Sequence, residues 1–485
     1  MTHKTVRGGQ SVARTNVIVV LAMLLSSMAG FAIALSMPWI LSTTEYTRFV
    51  TIWATGQFVA SLAFEWMRFG VIRFANTAQV EEMHERRALL LRLYLIVSAF
   101  LLMGGALSWG LLSGRFDLVD ELFLVALFAV SNGVFDGFQG LQRAELRNAA
   151  FSSARVIRTF SGFFLAILFG ALWGSAGAVL IGLALSFPVT IAVVHFGARN
   201  PMPSWPNVKI QGATFRFLAL FGLAAAAGTN LTMLAPAMQR LIAVRAFGLE
   251  NSAGIALGFD LSQKAIALTG LAINVVVMQK SIHSAEFGDT KQQKQQLSLQ
   301  ISGTFAVVVP AAVGFYIVSP DIAKLLVPGP LVASFQAIIL AATLTAGLLA
   351  IRMFSIDPIF LVKKRPQFGL IGPFFTVLSL VLIWLYPPDE LVTFGWVMVG
   401  AASIGVVAAC IAVSMIESVQ WPINDLVKIT LGSAIMYLLT TLLISEQGVL
   451  PLIGKFAIAV FSYVAVAIVL NTIGVRDTLA TWRTT

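Results

Sequence analysis

Glu65 and Arg68 stand three residues apart inside one apolar stretch, and Asp260 and Lys264 stand four apart inside another. Either spacing puts both side chains on one face of a helix, within reach of each other. A charge at mid-membrane depth costs at least ~2.5–3.5 kcal/mol, so it faces a partner or a hydrated cavity. Two roles fit: each pair lowers its own cost of insertion, or both line a hydrated central cavity. That the pairs occupy corresponding spans of two halves favours the cavity. Arg155, Arg158 and Arg216 begin apolar stretches as membrane anchors would, and Arg158 is the deepest of them. Arg240 falls on the side that is otherwise poor in basic residues, so charge bias between loops does not explain it. Arginine stays charged, and its planar fork grips phosphate bidentately. Arg158 and Arg240 are therefore candidates to reach a phosphate, and Arg68 and Lys264 join them as candidate cavity residues. Glu65, Asp136 and Asp260 are candidates for their charge partners or for ion coupling, and the sequence leaves both roles open. Asp136, near the end of its span, reads equally as a solvated helix end.

Catalytic or metal chemistry finds no such support. His3, His84, His195 and His283 have no metal-ligand spacing, and neither a phosphate-cradling glycine loop nor a nucleophile elbow is present. Cys410, the single cysteine, lies in an apolar run and reads as a packing residue. No catalytic residue, metal or cofactor is expected, and the chain does not read as an enzyme.

The elements that must position these residues follow from composition. Of 485 residues, 58% are hydrophobic and 11% charged, with a mean hydropathy of +0.88; soluble domains carry about 25% charged residues. The chain is expected to be an all-α integral membrane protein. Runs of about 20 apolar residues each suffice to span a bilayer, and fourteen are found. They are Val17–Leu41, Phe49–Phe69, Ala88–Leu112, Glu121–Phe138, Val156–Trp173, Ala176–Phe196, Phe215–Met238, Ser252–Met278, Leu297–Val318, Leu331–Ala350, Phe368–Tyr386, Leu391–Met415, Leu426–Leu443 and Val449–Ile473. The first is too long for a cleaved signal and reads as a retained span. Glycines such as Gly170, Gly174 and Gly177 suit close helix packing. Pro188, Pro236, Pro310, Pro358 and Pro373 lie in or near spans and can kink them.

The net charge of +10 sits mainly in short loops, which removes nucleic acid as a partner. Basic residues mark cytoplasmic loops. With both termini in the cytoplasm, basic clusters such as Arg86, Arg87 and Arg92, or Arg352, Lys363, Lys364 and Arg365, all fall inside. Only Arg48, Arg115, Arg240, Arg245, Lys324 and Lys455 fall outside. The Pro-rich segment after span six suggests a linker, giving an N-terminal lobe (1–200, helices 1–6), the linker (201–214), a C-terminal lobe (215–416, helices 7–12) and two further helices (417–485). The stretch Ala285–Ser298 reads as a solvated linker helix. A faint parallel repeat relates Trp39–Trp66 to Arg240–Lys264, a common transporter plan.

Three stretches carry a family resemblance: the first hairpin, MPWILSTTEYTRFVTIWATGQFVASLAFEWMRFGVIRFAN; the segment MQRLIAVRAFGLENSAGIALGFDLSQKAIALTGLAINVVVMQKSIHSAEFGD; and the basic turn IDPIFLVKKRPQFG. They resemble the polysaccharide-transport branch, the O-antigen and lipid-linked oligosaccharide flippases, of the multidrug/oligosaccharidyl-lipid/polysaccharide exporter superfamily. Arg240 takes a basic position that often ends span seven there, while Gln239 stands where the family often has an acidic residue. The resemblance implies two six-helix lobes around a central, partly cationic cavity, alternating access in the bacterial cytoplasmic (inner) membrane, and a polyprenyl-diphosphate-linked glycan as cargo. Membrane lipids and the polymerase or glycosyltransferase machinery of surface or exported polysaccharide synthesis are the implied partners. A multidrug or small-solute antiporter is the alternative. An organic-cation exporter wants an acidic, aromatic cavity, whereas the candidates here are mixed and slightly basic. A scaffold for glycan synthesis ranks last, because buried charge pairs serve it no purpose.

Overall fold

The computed structural model describes residues 25–26, 28–74, 80–112, 119–144, 147–197, 212–287, 290–363, 365–417 and 419–474. All secondary structure among them is helical. Among the described residues, ten helices are long and apolar enough to cross a membrane, and they hold expected spans three to six and nine to fourteen. Of span one, the helix Met28–Ile40 (α1) is described; residues 17–24 and 27 lie outside the described residues. Span two lies in α2 (Thr43–Phe74), which misses the apolar threshold while carrying Glu45, Arg48, Glu65, Arg68 and Arg73. Spans seven and eight both lie in α7 (Gly212–Phe287), a helical run broken at Gly248 (φ 77°, ψ 171°). The chain is a multi-pass integral membrane protein.

The chain divides into two units, Met1–Arg240 and Leu241–Thr485. Residues 201–211 of the expected linker lie outside the described residues. The N-terminal unit adds α3 (Val80–Leu112), α4 (Val119–Ala144), α5 (Asn148–Trp173) and α6 (Ala176–Gly197) to α1, α2 and the start of α7. Helix α4 is its centre and packs on α2, α3, α5 and α6. Gly133 and Gly137 make that approach possible: a Cβ at the first would overlap the Phe64 ring of α2, and at the second the Tyr94 ring of α3. The start of α7 packs on α2 in the same way, Gly222 lying against the Trp66 carbonyl. At the other end of α2, a Glu45 carboxylate oxygen accepts from the Ala176 N–H, 2.7 Å away at the start of α6. Arg48 bonds the second Glu45 oxygen at 3.1 Å and reaches Glu121 of α4 at 3.9 Å. Gly174 differs from the expected packing glycine. It adopts a left-handed φ of 61° and caps α5, its N–H bonding the Gly170 carbonyl, a conformation that costs glycine little.

The C-terminal unit holds the rest of α7, then α8 (Thr290–Leu326), α9 (Gly329–Ile351), a π-helical turn (Arg352–Ile356), α10 (Asp357–Val362), a 3₁₀ turn (Pro366–Leu370), α11 (Ile371–Leu385), α12 (Leu391–Ile416), α13 (Ile423–Leu443) and α14 (Val449–Val469). Helix α9 packs on α8 and α12, α11 on α12, and α13 and α14 on each other and on α8. Gly254 and Gly258 bring α7 against Leu331, Phe335 and Ile338 of α9.

Two basic residues leave their expected places here. Arg352, counted with an inner loop, is 1% exposed. The helix does not stop at Ala350 but runs through the π turn and α10, so that Gly329–Phe360 forms one membrane-length element. Arg352 donates to the Thr376 hydroxyl of α11 at 3.2 Å, and its Nε lies 3.5 Å from the Asp357 carboxylate. Lys455, counted as an outer charge, is 5% exposed and donates to the wholly buried Asp321 of α8 at 2.8 Å. Lys363 stays at a helix end, bonding Glu417 at 2.6 Å and the Gln293 side-chain oxygen at 3.0 Å.

Backbone groups freed inside lipid must find partners within the protein. Pro358 has no N–H for the carbonyl of Phe354, one turn before it, and Gln300 (3.3 Å) and Thr304 (3.4 Å) of α8 donate to that oxygen instead.

Candidate functional site

Gln57, Ser61, Glu65 and Arg68 follow one face of α2 at intervals of four, four and three residues, and Asn132 and Asp136 lie one turn apart on α4. The N-terminal unit folds these two faces against Thr229 and Met233 of α7, and together they line a cavity of about 130 Å³. Arg68 donates to the Glu65 carboxylate in a close ion pair, as the three-residue spacing predicts. Glu65 is 7% exposed. Asn132 donates to Asp136 at 3.4 Å, and Ser61 donates to Asn230 of α7 at 2.7 Å. The Arg68 guanidinium also lies 5.6 Å from the Phe69 ring centre.

The structure thus brings three of the seven predicted site residues, Glu65, Arg68 and Asp136, into one pocket. Asp136 is a cavity residue here rather than a free helix end. Arg158 does not line the cavity; it lies over the rings of Phe187 (4.6 Å) and Phe135 (5.7 Å). Arg240 is half-buried at the last position of the N-terminal unit. Asp260 (4% exposed) and half-buried Lys264 belong to the C-terminal unit, on successive turns of α7. None of the last three lines this cavity. Arg245 is exposed, stacks on Trp384 at 4.9 Å and donates to its carbonyl at 2.8 Å.

Two consequences follow from the cavity's size and charge. Its volume holds several waters or a small ion and falls below the roughly 300–1,000 Å³ of small-molecule pockets. Its ionisable groups are two carboxylates and one guanidinium, so this pocket is not the slightly basic one expected. The cationic surplus came from Arg158, Arg240 and Lys264, which lie elsewhere.

Sequence reasoning missed Gln57, Ser61, Asn132, Thr229 and Tyr94. The first three could have been found by stepping one or two turns from Glu65 and Asp136 along the same helix faces. Tyr94 of α3 stacks on Phe64 with centroids 5.4 Å apart and is 8% exposed. Nothing in its local sequence marks it.

No protein-family model matches the chain, and no curated protein matches it. Solved structures do. The fold is shared with multidrug MATE transporters, one of them described as a member of the MOP superfamily, and with a lipid II flippase. The chain is similar to the lipid II flippase MurJ in an inward closed conformation, with a TM-score of 0.71 at 13% identity, covering 96% of this chain and 100% of that one. It is also similar to the Vibrio cholerae MATE transporter VcmN, with a TM-score of 0.57 at 14% identity over 84% of this chain and 97% of that one. An inward-facing multidrug MATE transporter gives 0.58 at 13% identity over 83% and 98%. These neighbours are transporters, not enzymes.

Proposed function

We propose that the protein is a flippase that moves a polyprenyl-diphosphate-linked oligosaccharide across the cytoplasmic membrane by alternating access, supplying surface or exported polysaccharide. The observation that carries this reading is the extent of the likeness to the lipid II flippase. The 4% of the chain left uncovered there is too short to hold α13 and α14, of 21 residues each, whereas the MATE likenesses leave 16–17% uncovered. In this reading Arg68, Arg158, Arg240 and Lys264 offset the charge of the diphosphate. Glu65, Asp136 and Asp260 hold those bases in place or take a coupling cation. The lipid tail stays in the bilayer, both termini face the cytoplasm, and polymerase or glycosyltransferase machinery supplies and consumes the cargo.

A second reading, a multidrug or cation antiporter on the same fold, is favoured by the pair of carboxylates in the N-terminal cavity. One comparison separates the two. In cells lacking the protein, the flippase reading expects lipid-linked oligosaccharide to build up in the membrane while surface polysaccharide falls. Unchanged glycan with raised sensitivity to toxic cations would give the function to the antiporter.

A further inference from the structure

Pro310 sits inside α8 and has no N–H to give the carbonyl of Ala306, one turn before it. In a lipid-embedded helix that oxygen needs another donor. The Tyr463 hydroxyl of α14 supplies it, at 2.7 Å. Further along α8, the buried Asp321 carboxylate is held by α14 at both oxygens: the Gly448 N–H, at the start of α14, donates to one at 3.0 Å, and Lys455 to the other at 2.8 Å. The positive end of the α14 dipole adds to that attraction. The two attachments match in length. Ala306 and Asp321 are fifteen residues apart on α8, and Gly448 and Tyr463 fifteen apart on α14, in opposite directions. Each separation is about 22 Å of helix. Between them Ile317 of α8 packs on Ala459 of α14 and Met436 of α13. The second proline, Pro320, frees the Tyr316 carbonyl, which the Ser319 hydroxyl satisfies at 2.8 Å within α8 itself.

We infer that α14 is a brace for α8: it is fastened on either side of Pro310 and holds rigid a helix that its own sequence would leave free to bend. Tyr463 is the positioning residue of this brace, standing in for the missing N–H of Pro310. The brace does not depend on what the protein transports.

The test uses the full chain in lipid nanodiscs, with Cys410→Ala and spin labels at the exposed positions Lys291 and Lys324, near the two ends of α8. Tyr463→Phe removes one oxygen and keeps the ring packing. With Pro310 in place, it should broaden the distribution of label distances relative to the parent. In a Pro310→Ala background, residue 310 donates its own N–H to Ala306, so Tyr463→Phe should leave the distribution unchanged. Equal broadening in both backgrounds would overturn the inference, since Tyr463 would then act through something other than that carbonyl. A distribution left unchanged by Tyr463→Phe in both would overturn it too, since α8 would need no brace.

Discussion

At the scale of single residues, the ion pair between Arg68 and Glu65 is the most consequential contact in the N-terminal cavity. Glu65 is nearly sealed from solvent, while the Arg68 side chain keeps a third of its exposure. Glu65→Gln therefore leaves a guanidinium beside a neutral amide, at a cost of roughly 1–3 kcal/mol for the lost charged hydrogen bond, which a lower thermal midpoint in detergent would register. Arg68→Gln removes the cation and leaves two carboxylates facing one cavity. The flippase reading expects surface polysaccharide to fall about tenfold or more at matched protein level, the equivalent of some 1.4 kcal/mol. Output unchanged by Arg68→Gln would remove that residue from the substrate path. The pairing was readable from its spacing. Asp136 was readable as a residue but not as a neighbour of Glu65, because its position depends on how α4 packs on α2.

At the scale of elements, glycines decide how closely helices approach. Gly133→Ala puts a methyl group into the Phe64 ring and must push α2 and α4 apart, an overpacking worth about 1–3 kcal/mol. Gly104, with nothing within 4 Å of a Cβ, is the control and should tolerate alanine. Thermal unfolding of the two purified variants compares them directly, and Phe64→Leu should restore part of the loss from Gly133→Ala. The ten strongly apolar helices were legible because length and hydropathy alone define a membrane span. The continuation of α9 into α10 was not. Arg352 ends the apolar run as a loop residue would, and only Thr376 of α11 and the nearby Asp357 explain how it is accommodated. Asp321 and Lys455 escaped for a similar reason: 134 residues separate them, Lys455 has no partner at helical spacing, and the one that spacing offers Asp321, Lys324, is exposed.

At the scale of the whole molecule, the fourteen spans expected from the sequence, in phase with the loop charges, would put both ends of the chain on one side. Reporter domains fused to each terminus should therefore both read as cytoplasmic, and opposite readings would mean that a span was miscounted. Arg352 belongs to this scale because it ties the continuous element Gly329–Phe360 to Thr376 of α11, a helix made later. Replacing Arg352 alone by Met leaves the partly exposed Asp357 without its cation and should cost roughly 1–3 kcal/mol for the lost charged hydrogen bond. Joint replacement by Met and Leu should cost less. Denaturant unfolding of the C-terminal unit's near-ultraviolet signal measures both.

The charge content of α2 also bears on how the protein is made. A helix with Glu45, Arg48, Glu65, Arg68 and Arg73 along its length partitions poorly into lipid alone, since each central charge adds a few kcal/mol. Its companions emerge from the ribosome later: α4 brings Glu121 to Arg48 and Asp136 to the cavity, and α6 brings the Ala176 N–H to Glu45. Stable insertion of α2 must then wait for translation to pass α6, with the nascent helix held in the insertion machinery or at the interface meanwhile. Chains truncated after α3 should show α2 incompletely embedded in a glycosylation-mapping assay, and chains extended past α6 should show it embedded.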